Sequence, residues 1–334
     1  MSINRIIIVG VVAGVTALSL GSNALAQQLG SKLSEKITQS TTIDPSAKAD
    51  VTKFIDQVIE NLNSTNPLTV RSGREMVVSS MTKQQVNSAF RPVFAALILP
   101  DLKKIISSAS PFQATNALEI VKALQCPDSI SLLADQTAVK NQPSSSVRLV
   151  AAGGLATLRT PIELTSGQAD GILKTIASSL IKETDWMVAA YDLQAFCTFS
   201  TSPQVPKASQ AFARTAFVNA LGYLVTQIRK NPTDGSEMIR AVNRGLAIYM
   251  RDQVPLATQA DVAAIMKALE PTLKEIKSLP VPSEPASLVS AFTQVNKTVD
   301  TIQKTFLGGK GSAAGGGATK KPATPPPASP PAKK

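Results

Sequence analysis

The sequence predicts an all-α protein, on three observations. Apolar residues recur at helical spacing along nearly the whole chain. No segment sustains the period-2 alternation of a half-buried strand. Short breaks rich in Pro, Ser and Asp separate the apolar stripes. Composition agrees: aromatics make up only 4% of the residues, which suits helices packed closely through small side chains better than an aromatic-rich sandwich.

The first apolar segment reads as an export signal rather than as part of the fold. Arg5 closes a short positive region, Ile6 to Leu20 carries no charge, and Ala24 and Ala26 place small side chains at a cleavage site. Its length of about 15 residues falls short of the roughly 20 that span a bilayer as a helix. An uncleaved membrane anchor is the alternative. No cysteine stands at the cleavage site to carry a lipid. The expected division is a signal peptide over 1–26, a mature chain opening at Gln27 with a helical body over 27–307, and a tail over 308–334. Export places the protein in the periplasm or outside the cell.

Within the body, Val51, Phe54, Ile55, Val58, Ile59 and Leu62 form the first stripe. Ala114, Ala117, Leu118 and Val121 form a second, with Asn116, Glu119 and Lys122 on its other side. Val147, Val150, Ala151, Leu155 and Leu158 follow, then Ile172, Leu173, Ile176, Ala177, Leu180 and Ile181, then Phe217, Leu221, Leu224, Val225 and Ile228. Leu288, Phe292, Val295, Val299, Ile302 and Phe306 alternate steps of 4 and 3, the seam of a helix laid along a partner. The breaks fall at Asn66-Pro67, Ser110-Pro111, Cys126-Pro127, Gln142-Pro143, Asn231-Pro232 and around Pro280-Val281-Pro282. Proline suits the first turn of a helix, and Ser, Thr or Asp caps its free N–H groups. About ten to twelve helices of roughly 10–20 residues follow. Past Leu307 the chain turns to Gly, then to Pro, Ala and Lys, a composition expected to stay disordered.

The net charge of +11 divides unevenly. Arg5 leaves with the signal segment, and Lys310, Lys320, Lys321, Lys333 and Lys334 belong to the tail, so the body is only mildly basic. That spread lacks the focused stripe of a nucleic-acid binder. The tail lysines are candidates for a tether to an acidic envelope polymer, a membrane surface touched peripherally, or a protein. Histidine is absent, which removes the commonest general base and transition-metal ligand together. Ser80-Met81-Thr82-Lys83 fits the loose S-x-x-K pattern of penicillin-binding enzymes, but its companion motifs are missing. Glu183 and Asp185 read as acids at a helix entry. Trp186, the only tryptophan, reads as a core or inter-repeat anchor, with an exposed recognition residue as the alternative.

Several helix starts look alike. Asn66-Pro67-Leu68-Thr69-Val70-Arg71 opens one, and Gln142-Pro143 leads through Val147-Arg148 to Ala151-Ala152-Gly153-Gly154-Leu155 in another. Pro127 to Leu133 looks like the matching first helix. Thr184-Asp185-Trp186 and Glu237-Met238-Ile239-Arg240 echo the pattern more weakly. A turn with Pro, then Val-Arg, then small residues and Leu resembles the second helix of HEAT repeats, in the armadillo-like class, most clearly over 110–200. The resemblance implies a degenerate α-solenoid of antiparallel helix pairs. In it Val70 and Val147 enter the hairpin core, and Arg71 and Arg148 lie near the surface between repeats, paired to an acid or amide next door. Uneven spacing keeps an irregular bundle as the alternative.

The solenoid bears on Cys126 and Cys197. With one helix between them they stand two stacking steps apart, roughly 16–20 Å, against the about 7 Å that a disulfide allows. Two buried thiols are expected, with a bridge as the alternative. The functional reading is an exported, non-enzymatic binding or scaffold protein of the bacterial cell envelope, monomeric and without cofactor. The alternatives are a wall-active enzyme and a structural subunit that oligomerises through its last helix.

Overall fold

A computed structural model describes residues 32–82, 86–108, 110–158, 163–233 and 235–307. The expected signal segment with Ala24, Ala26 and Gln27, the five tail lysines and Lys83 lie outside the described residues. The chain forms α1 (Glu35–Thr38), α2 (Pro45–Leu62), α3 (Pro67–Met81), α4 (Phe90–Ser108), α5 (Pro111–Leu124), α6 (Pro127–Thr137) and α7 (Ser145–Ala156). It continues through α8 (Ser166–Leu180), α9 (Trp186–Thr201), α10 (Lys207–Lys230), α11 (Met238–Ile248), α12 (Gln259–Lys277) and α13 (Ala286–Ile302). No strand occurs among the described residues.

The caps explain where the helices begin. Proline occupies the first turn of α2, α3, α5 and α6, where its missing N–H is not needed. Asn66 Oδ1 accepts from Leu68 N at 2.9 Å, and Asp185 Oδ1 accepts from Met187 N at 2.9 Å. Ser110 with Gln113 and Thr165 with Gln168 close reciprocal capping boxes. Two prolines break the expected rule: Pro100 and Pro271 sit inside α4 and α12. Both are exposed, so water reaches the carbonyl that each leaves without a donor.

The helices pair in sequence, α2 with α3 through to α12 with α13, and the pairs stack. Each odd helix from α3 to α13 packs on the next odd one, and each even helix from α2 to α12 on the next even one. Two parallel layers of helices around a continuous apolar core are the result, an α-solenoid of six helix pairs. The stripes supply that core: Val51, Val58, Leu118, Leu155, Leu173, Leu224 and Val295 are buried. One position departs from expectation. Asn116, assigned to the solvent side of its stripe, is buried because it accepts from Arg74 Nη1 at 3.2 Å.

The last helix faces inward on α11 and α12, with Leu288, Phe292, Val295, Val299 and Ile302 buried in the chain's own core. Its seam is therefore spent within the molecule. The other side of α12 shows Ala260, Ala264, Lys267, Ala268 and Lys274 to solvent. No helix among the described residues is long and apolar enough to cross a membrane.

Candidate functional site

Arg148 lies between repeats, and its partner is an acid. Nε and Nη2 donate to the two carboxylate oxygens of Glu183 at 2.7 and 2.9 Å, and Nη1 donates to the carbonyls of Gln142 and Pro143. Glu183 Oε1 also accepts from the N–H groups of Thr184 and Asp185. The side chains are 5% and 0% exposed, so every charge in the pair is neutralised out of water. Glu183 is thus more than an acid at a helix entry; Asp185 alone plays that part.

A second carboxyl accompanies the pair. Asp192 on α9 is fully buried, and neither oxygen has a hydrogen-bond partner. Burial pushes its pKa well up, the nearby Glu183 carboxylate adds to the rise, and Arg148 opposes it. Val147 is buried. Of the Gly153-Gly154 pair, only Gly154 makes a close approach, with Leu133 of α6 3.1 Å from where a Cβ would stand.

Val70 is buried, but Arg71 is exposed, its guanidinium 6.0 Å from the centre of the Phe112 ring. The amide pairing expected of Arg71 is made instead by Arg74, one turn on, to Asn116. Trp186 is half-buried beneath Arg240 of the following repeat, and Tyr191 lies 4.4 Å under Arg244. Leu68, Phe112 and Met187, each the second residue of its helix, are the exposed apolar side chains of this edge. Ser80 is buried and donates to the carbonyl of Met76 at 2.7 Å, as a helix residue does.

A feature that was not foreseen lies at the opposite ends of α7, α9 and α11. A cleft of about 430 Å³ opens there, within the size range of small-ligand sites. Gln194, Thr198, Thr201, Gln204 and Gln253 give it neutral hydrogen-bonding walls, over Ile130, Leu164, Val205 and Ile248. The backbone that builds it is irregular. After α11 the chain winds as a π turn over Tyr249–Gln253 and a 3₁₀ turn over Val254–Leu256, an insertion that re-aims side chains and recurs at functional sites. Tyr249 anchors the turn by stacking on Phe217 at 5.2 Å. Gln253 is thereby buried, accepting from Ser200 Oγ. At the rim, Arg251 and Asp252 form a two-pronged ion pair that holds the Asp252 carboxyl below its ordinary range.

Cys197 lines the same cleft. Both Cys126 and Cys197 are free and buried, and α7 packs between α5 and α9. Burial pushes the Cys197 thiol far up, so it is not a nucleophile at neutral pH. Among the described residues no group of His, Cys, Asp and Glu has metal-site geometry.

No protein-family model matches the chain, and no curated protein matches it in sequence. Among solved structures, it is similar to a computationally designed armadillo repeat protein described as made for modular peptide recognition. The identity is 14%, over 73% of this chain and 99% of that one, with a TM-score of 0.37. The solenoid assignment rests on the helix contacts, which show stacked antiparallel helix pairs, an architecture that resembles HEAT and armadillo repeats.

Proposed function

We propose that the protein is an exported, non-enzymatic scaffold of the bacterial cell envelope that holds a polypeptide segment in the cleft across its third to fifth helix pairs. The cleft carries this reading. Its walls combine amides and hydroxyls, which match the donors and acceptors of a peptide backbone, with an aliphatic floor for one side chain. The charges at its rim are already paired with each other. Its thiol is buried, and the carboxylate in its lining, Asp252, is held in the ion pair with Arg251.

A photo-cross-linking residue in place of Thr198, compared with one in place of Ala264 on the outer face of α12, tests the cleft in living cells. Discrete adducts from position 198 that vanish when Gln204→Trp fills the cleft are expected. Equal labelling from both positions refutes the assignment.

Export and tethering rest on the sequence: the signal pattern ending at Ala26, and the tail lysines. Intact mass of the protein from a periplasmic fraction should correspond to a chain starting at Gln27. Deleting 308–334 should release it from envelope fractions at low salt, where polybasic attachment is strongest. Unchanged fractionation removes the tether.

A further inference from the structure

On the far side of Gln253 and Leu256 from the cleft lies a smaller cavity, about 180 Å³, between the starts of α10 and α12. Three donor groups line it with few acceptors from the protein. Tyr249 is 3% exposed, and its hydroxyl, buried, has no partner. Arg214 makes one long bond, from Nη1 to the carbonyl of Ser200 at 3.4 Å, and stands 3.7 Å from Asp261, beyond hydrogen-bond reach. Lys207 Nζ reaches only Gln210 Oε1, at 3.3 Å.

Most acceptors nearby are already occupied; the exception, Asp261 Oδ1, stands 3.7 Å from Arg214 Nη2. Asp261 Oδ2 accepts from Thr258 Oγ1 at 3.0 Å as part of the α12 cap. Gln253 accepts from Ser200, and Gln210 donates to the carbonyls of Ser202 and Val205. A buried phenol without an acceptor costs about 1–3 kcal/mol, and an arginine with unused donors in a half-buried site calls for an oxyanion.

We infer that this cavity is a binding site for one carboxylate group, held by Arg214, Lys207 and the hydroxyl of Tyr249. Charge selects carboxylate over phosphate. Lys207 and Arg214 against Asp261 leave a surplus of one positive charge, which a monoanion neutralises and a phosphate dianion overshoots. The amino-terminal ends of α10 and α12 add partial positive charge of the same sign. Size agrees, since the cavity admits a carboxyl with a small substituent and little else. The carboxylate could belong to a free small acid or to a chain end.

Titration of the purified full-length chain tests the site, with the arginine Nε–H and tyrosine ring signals followed by NMR at fixed ionic strength. Only three tyrosines occur in the sequence, so Tyr249 can be assigned by substitution. Acetate and N-acetylglycylglycine are the carboxylate probes; N-acetylglycylglycinamide, inorganic phosphate and chloride are the comparisons. Saturable shifts of Arg214 and Tyr249 with a carboxylate, at a Kd of about 1 mM or below, and none with the amide, are expected.

Acetate binding alone assigns the site to free acids, and binding of the blocked dipeptide assigns it to chain ends. Arg214→Gln should weaken binding about tenfold or more. Tyr249→Phe deletes only the unpartnered oxygen, so the fold is kept; it should weaken binding severalfold, read at Arg214. The inference fails if no probe saturates, if phosphate binds more tightly than acetate, or if Tyr249→Phe binds as the parent does.

Discussion

Two junctions of this solenoid begin with the same Val-Arg pair and end differently. At the junction of α3 with α5, Arg71 stays in solvent above Phe112. At that of α7 with α9, Arg148 is sealed under the following loop against Glu183, with Asp192 behind it. The preceding valine is buried in both. What differs is the loop before the next second-layer helix. Lys182-Glu183-Thr184 supplies a carboxylate over Arg148, whereas Ser110, which caps α5, has none to offer Arg71. The position of an arginine in a repeat therefore sets where its side chain starts, and a residue some 35 positions away sets whether it is buried.

Breaking the buried pair is the most severe test of that contrast. Arg148→Ala leaves Glu183 charged and unpaired in the core, and should cost about 3–5 kcal/mol in urea unfolding. Arg71→Ala should cost less than about 1 kcal/mol. Comparable losses would mean that the two junctions are energetically alike.

Asp192 sharpens the comparison through pH. Its folded pKa lies above the unfolded value, so the folded chain holds the extra proton between the two. The contribution of Asp192 to stability is therefore undiminished below the unfolded pKa and falls as pH rises toward the folded one. Asp192→Asn, which mimics the protonated acid, should match the wild type near pH 4 and exceed it increasingly toward pH 8. A stability difference that stays flat with pH would show that Asp192 ionises without penalty.

Glycines give a smaller contrast. A Cβ on Gly73 would stand 2.8 Å from Asn61 Cβ and 3.2 Å from the carbonyl oxygen of Val58, so Gly73→Ala pushes α3 off α2 and should cost about 1–3 kcal/mol. Gly153 meets nothing within 4 Å, and Gly153→Ala should stabilise α7 by about 0.5–1 kcal/mol. Thermal melts of the two variants should move in opposite directions.

Much of the fold was legible because it is local. Stripes such as Val51 to Leu62 and starts such as Asn66-Pro67 and Ser110-Pro111 need only neighbouring residues, and both became helices with the expected faces and caps. Pro100 and Pro271 sit inside α4 and α12, where an exposed helix face tolerates what local chemistry disfavours. Asn116 was placed on the wrong side because its partner, Arg74, lies 42 residues upstream. The cleft and the smaller cavity were not readable for the same reason. Their walls join the ends of helices from separate repeats, and the π turn at Tyr249–Gln253 has no periodic signature.

The stacking by which each helix pair touches little beyond its neighbours has a mechanical consequence. Such a chain behaves as a row of coupled units, whose end members open first and whose opening spreads inward until it meets a strong coupling. The Arg148–Glu183 clamp sits mid-row, tying the third pair to the fourth. It would act as a ratchet stop, letting the row fray from either end while the ground between stays closed to solvent exchange.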